Sequence, residues 1–142
     1  MKDLKHFLNS FAKVNSHEYV VNEYTFDLVT NNSKEVFKEA LDKYMKYKEQ
    51  NQNFKELTNW RNEILSKYDE GYWLGKTPVT FDLQGLSPKE YLIESILEIL
   101  QEQPYKVNSI EGFGTFLCSV CTEDYFFETT KGIYWLSFNV YD

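Results

Sequence analysis

Apolar residues at positions 4, 7, 8 and 11 recur at helical spacing and predict a first helix over 3–14. The pattern then changes. Residues 17–30 are rich in β-branched and aromatic side chains, and from Tyr24 they alternate strictly. Tyr24, Phe26 and Leu28 fall on one face and Thr25, Asp27 and Val29 on the other, which predicts a strand. Asn31-Asn32 reads as a turn, and Ser33 then caps a second helix reaching about 50. Its apolar side is Val36, Phe37, Ala40, Leu41, Tyr44 and Met45. A break at 51–53 and apolar positions 54, 57, 60, 64 and 65 predict a third helix over 54–68, forming a helical hairpin with the second. Residues 79–84 read as a short strand.

The strongest helix signal is 87–103. Ser87 suits the N-cap, Pro88 the first helical position, and Glu90 completes a capping-box spacing. Tyr91, Leu92, Ile93, Ile96, Leu97, Ile99 and Leu100 make a broad apolar face, and Pro104 marks the end. Beyond it the pattern is β throughout: 105–110, 115–122, 124–130 and 133–141, with a tight turn at Lys131-Gly132. On the last strand Tyr134, Leu136, Phe138 and Val140 read as core-facing. Ile133, Trp135, Ser137, Asn139 and Tyr141 form a second face, too polar for full burial. The expected fold is one α+β domain over 1–142. A C-terminal antiparallel β-meander, joined by the 79–84 strand, carries the helix at 87–103, and the N-terminal helices cover one face or end.

Charge sharpens this picture. The chain of 142 residues has a formal net charge of −7. Residues 1–68 hold eleven basic and ten acidic side chains, whereas 69–142 hold four and twelve. The second part, at −8, lacks the clustered Lys and Arg that phosphate neutralisation requires, which argues against nucleic acid as ligand. On the helix at 87–103, Glu90, Glu94, Glu98 and Glu102 recur every four residues. Like charges at that spacing repel, so the ladder is a candidate contact face. An acidic face also serves solubility alone. Further acids stand at Asp69, Glu70, Glu123, Asp124 and Glu128.

Aromatics make up 18% of the chain, leaving some for contact surfaces. The loop 69–78 sets Tyr72 and Trp73 between Gly71 and Gly75, as a plug over the core or as a recognition loop. Trp135 is a further candidate anchor.

Catalytic motifs are wanting. Cys118 and Cys121 match C-x-x-C, but lie in a strand pattern where residues three apart point to opposite faces, and His6 and His17 lack zinc-ligand spacing. No P-loop, dinucleotide fingerprint or nucleophile elbow is present. Two cysteines and the absence of a signal-like or membrane-length apolar run suggest a reducing, cytoplasmic setting. A skew towards Lys over the single Arg, with abundant Asn, Tyr, Phe and Ile, suggests an AT-rich bacterial or phage genome.

These features point to a non-enzymatic acidic binding protein with no cofactor or metal. Its partner would be a basic protein rather than nucleic acid or membrane, and the chain itself a monomer or weak homodimer. In size, acidity and lack of catalytic motifs it looks like a bacterial immunity protein that occludes a nuclease-type toxin, an analogy of class that no residue motif carries. The alternatives are a phage inhibitor of a host defence enzyme, a small-molecule binder or enzyme with an aromatic-lined pocket between helix 87–103 and the sheet, and a homo-oligomer paired through strand 133–141.

Overall fold

A computed structural model describes residues 2–30, 53–67, 73–112 and 119–141. In chain order the elements are α1 (Leu4–Val14), β1 (Val21–Thr30), β2 (Asn53–Glu56), α2 (Trp60–Lys67), α3 (Pro88–Leu100), β3 (Lys106–Gly112), β4 (Ser119–Thr129) and β5 (Gly132–Tyr141). The five strands form one antiparallel sheet in the order β1-β5-β4-β3-β2. The fold is α+β, built on the meander β3-β4-β5. The predicted second helix, and with it the helical hairpin, falls outside the described residues.

The first helix forms where its pattern places it. Asp3 caps it by accepting from the His6 amide, and Leu4, Phe7, Leu8, Phe11 and Ala12 are buried. Residues 54–56, predicted helical, are instead strand: Phe54 pairs with Ile110 and Glu56 with Asn108. The helix starts only after Asn59, whose carbonyl and side chain accept from the Glu63 and Asn62 amides. Edge pairing with β3 therefore overrides helical spacing that the apolar residues at 54 and 57 share with a strand end.

Residues 79–84 are not a strand. The Phe81 amide bonds to Pro78 O, the Asp82 carboxylate accepts from the Gln84 amide, and the Leu86 amide bonds to Leu83 O. Gln84 and Gly85 both have positive φ, +56° and +81°. Pro78 and Asp82 thus commit this stretch to successive turns. Phe81 folds back onto α1 and α3, with ring centroids 5.2–5.9 Å from His6, Phe7, Phe11 and Tyr91.

The two strands predicted around Glu123 are one, β4. A two-residue turn, Thr130-Lys131, leads into β5, where Gly132 at φ +140° takes a conformation side chains disfavour. β5 lies inside the sheet between β1 and β4, so it offers no free edge for self-association. The edges among the described residues are β1 and β2.

On the helical face of the sheet, Tyr24, Val107, Tyr125, Phe127, Leu136 and Phe138 join the buried sides of all three helices in one core. Phe7 stacks on Tyr91 at 5.1 Å, tying α1 to α3. Trp73 closes the core against Tyr24 and Phe138. The apolar side of α3 belongs to this same core.

Candidate protein-interaction surface

Ser87 caps α3: its hydroxyl accepts from the Glu90 amide at 3.2 Å and donates to Glu90 Oε1 at 3.0 Å. Tyr91, Leu92, Ile93, Ser95, Ile96 and Leu100 are buried, while Glu90, Glu94 and Glu98 are exposed. The ladder is shorter than its spacing suggested. Gln101 adopts a left-handed backbone (φ +56°) and its amide bonds to Leu97 O, so the helix stops three residues before Pro104. Glu102 leaves the helical face. It accepts from the amide and the hydroxyl of Thr130. Those two hydrogen bonds, aided by Lys131, hold its carboxyl below the usual range. Glu102 therefore fastens the helix end to the β4–β5 turn. Lys131 adds a bond from Nζ to Leu100 O at 3.2 Å.

The repulsion between Glu94 and Glu98 also has an internal counterweight. Lys2 Nζ lies 3.3 Å from Glu94 and 3.7 Å from Glu98, and the Lys2 amide donates to Glu98 at 3.1 Å. Lys2 passes over the Tyr91 ring, and the Tyr91 hydroxyl accepts from the Asp3 amide. The segment before α1 is thus laid along α3, where its one ammonium group is shared between Glu94 and Glu98 and does not reach Glu90.

The acids of β4 are not a surface. Asp124 is wholly buried and accepts from Trp135 Nε1 at 2.7 Å, and Trp135, half-buried, stacks on Phe126. Glu123 is half-buried, with the Tyr125 hydroxyl 3.4 Å from its carboxylate. Glu128 is buried beside Lys106 and Ile133, its register partners. Ile133 and Ser137 are buried as well, so the second face of the sheet is drier than its composition suggested. Trp73 is 1% exposed, a plug rather than a recognition anchor. Asp69, Glu70 and Tyr72 lie outside the described residues, as do Cys118 and the side chain of Cys121.

Burial pushes the Glu128 carboxyl above its ordinary value, with Lys106 opposing and Glu56 adding to the shift. Neither Glu128 Oε2 nor the nearby Asn108 Nδ2 has a hydrogen-bond partner. A raised folded-state pKa means that the stabilisation is complete below the ordinary carboxylate pKa of 4.5 and is lost as pH rises through the higher folded value. Glu128→Gln is therefore expected to stabilise the fold by about 1 kcal/mol at pH 7, with the gain vanishing near pH 4. Urea denaturation at both pH values checks this; an equal effect at both would show that ionisation is not the cause.

A different surface emerges at the sheet edge. Between α1 and β1 runs a cleft of about 170 Å³. Leu4, Lys5, Leu8 and Asn9 line its helix side, residues 24–27 its strand side, and Ile99 of α3 one end. Ile99 and, at the far end of β1, Leu28 are about two-fifths exposed. Glu23 and Asp27 are exposed on the opposite face of β1, beside Asn139 and Trp135 of β5. Alternation along 24–28 matches the register with β5, which shifts between Leu28 and Thr30 and leaves Val29 buried and Leu28 exposed; that β1 is an edge among the described strands depends on partner order, which no local pattern encodes.

Comparison with protein-family models, curated proteins and solved structures returns no match. Among the described residues no group of three or more His, Cys, Asp or Glu is placed to hold a metal ion, and no helix is long and apolar enough to cross a membrane.

Proposed function

We propose that the chain is a non-enzymatic acidic binding protein that occupies a basic surface on a protein partner. The observation that carries this reading is the outer face of α3. Glu90, Glu94 and Glu98 stand exposed along a helix whose other face is committed to the core. Carboxylates fixed on a packed helix steer a basic partner and lose no backbone freedom on binding. Sites that handle nucleic acid are basic, so a nuclease-type toxin is the partner class we favour, with this chain acting as its immunity protein. Asp124, Glu128, Trp73 and Glu102 serve the fold in this account, and the contact acids are Glu90, Glu94 and Glu98.

The test is affinity capture from the source organism with the chain as bait, eluted with rising salt. A stoichiometric basic protein released by salt supports the reading. Alanine at Glu90, Glu94 and Glu98 together is then expected to slow association about tenfold at low salt and to flatten its salt dependence. Stopped-flow association rates check this. A rate unchanged by the triple substitution removes α3 from the interface.

A further inference from the structure

We propose that Lys2 is a built-in competitor for the acidic face of α3: it fills a lysine site made by Glu94, Glu98 and Tyr91, and a lysine of the basic partner displaces it to bind there. This deepens the reading above, on which it rests, by naming what the face takes up and what restrains it. Three observations meet at Lys2. Its ammonium lies 3.3 Å from Glu94 Oε2 and 3.7 Å from Glu98 Oε1, and sits over the Tyr91 ring at 6.0 Å from the centroid. Its backbone amide donates to the other Glu98 oxygen, Oε2, at 3.1 Å. Its side chain is 13% exposed, whereas those of Glu94 and Glu98 are 47% and 42% exposed. Two carboxylates one helical turn apart beside an aromatic ring suit an ammonium group. Lys2 engages both oxygens of Glu98, so a second ammonium meets a carboxylate pair that is already half neutralised.

The contact can open at little cost. Lys2 lies one residue outside Asp3, the N-cap of α1, and Asp3 is held separately. The Asp3 carboxylate accepts from the His6 amide, its carbonyl accepts from the Phe7 amide, and its own amide donates to the Tyr91 hydroxyl. Lifting Lys2 therefore breaks no bond of the helix or the core. What is lost is an ion pair to partly exposed carboxylates, a weak interaction in water. Docked and lifted states then lie close in free energy, and the affinity of the face for a foreign cation falls with the fraction of molecules in which Lys2 is docked. Lys5, one turn further along, lines the cleft beside β1 and pairs with none of Glu90, Glu94 and Glu98.

The probe is a capped hexalysine peptide, added to the full chain at low salt, with the amide resonances of α3 followed by NMR. Lys2→Gln is expected to bind the peptide about threefold more tightly than the wild type. Lys2→Arg keeps a competitor in place and should show no such gain. Lys5→Gln removes the same charge without opening the site and should leave the affinity nearly unchanged. In the wild type the Lys2 Cε resonance, assigned by its loss in Lys2→Gln, should move to the position of a free lysine as the peptide binds. Equal affinity of the wild type and Lys2→Gln overturns the proposal, as does an equal gain in Lys5→Gln. So does a Lys2 resonance that stays in place while α3 shifts, or failure of every variant to bind. The acidic-binding reading fails on different results. If a captured basic partner associates equally fast with the wild type and Lys2→Gln, while alanine at Glu90, Glu94 and Glu98 slows it, the competitor is wrong and that reading stands. If Lys2→Gln opens α3 to hexalysine but no basic partner is captured, the reverse holds.

Discussion

Trp73→Ala is expected to destabilise the fold by about 3–5 kcal/mol, the range for removing a buried aromatic side chain. The indole is 1% exposed. It stacks against Phe138 with centroids 5.5 Å apart and meets the edge of Tyr24 at 5.8 Å. Tyr24 in turn packs on Phe138 at 4.9 Å and donates its hydroxyl to Trp73 O at 2.6 Å. The Tyr24 oxygen accepts from Asn22 Nδ2. Trp73 thus joins the chain segment before α3 to the two adjoining strands β1 and β5. Its removal opens a cavity bounded by residues of a sheet that cannot collapse freely, so the lost contacts are not recovered. Denaturant unfolding followed by circular dichroism measures the loss. Trp73→Phe should cost distinctly less, because a ring still fills part of the space. A loss below about 1 kcal/mol for alanine would place the indole outside the core and restore the loop as a candidate contact.

The fates of Trp73 and Asp124 show where the sequence speaks and where it falls silent. A tryptophan between glycines and beside acids is compatible with both plug and anchor. What decides is whether β1 and β5 are neighbours, and that is a long-range fact. Asp124 reads as a candidate contact acid at the start of the strand predicted over 124–130. It is buried because β4 is flanked by β3 and β5, with Trp135 of β5 reaching it diagonally. Local signals did better. The apolar stripe of α1, the Ser87 cap, the apolar face of α3 and the alternation of β5 each arise within one turn or one strand, and each was legible. The end of α3 was not, because Glu102 and Gln103 are good helix formers. The left-handed Gln101 is held by tertiary bonds from Lys131 to Leu100 O and Gln101 Oε1. The candidate contact face shrank accordingly, from four regular carboxylates to three. The cleft beside β1 gave no sequence signal beyond the strand's own alternation.

A polar residue just past the end of α1 is expected to matter almost as much as the tryptophan. Asn15 is 9% exposed, and its side-chain amide makes three hydrogen bonds to backbone. Nδ2 donates to Phe11 O at 2.9 Å and to Lys76 O at 3.0 Å, while Oδ1 accepts from the Lys76 amide at 2.9 Å. Its own carbonyl accepts from Asn22 Nδ2. The side-chain amide therefore ties the end of α1 to the segment following Trp73, and the backbone carbonyl ties it to the start of β1. Asn15→Ala removes three side-chain bonds and takes their partner from the part-buried amide and carbonyl of Lys76, at a cost of about 2–3 kcal/mol. Asn15→Asp is the sharper test. It keeps the shape and the bond from the Lys76 amide, but replaces the donor with an oxygen facing the Phe11 and Lys76 carbonyls. At pH 7 it should destabilise at least as much as alanine. Protonation restores a donor, so the aspartate variant should recover part of the loss, relative to wild type, as pH falls through its carboxyl pKa. Urea midpoints for the wild type and both variants at pH 7 and pH 4 test this. An aspartate variant as stable as the wild type at pH 7 would mean that the Asn15 amide does not hold the 73–76 segment, and that Trp73 is kept in place by packing and by the Tyr24 hydroxyl.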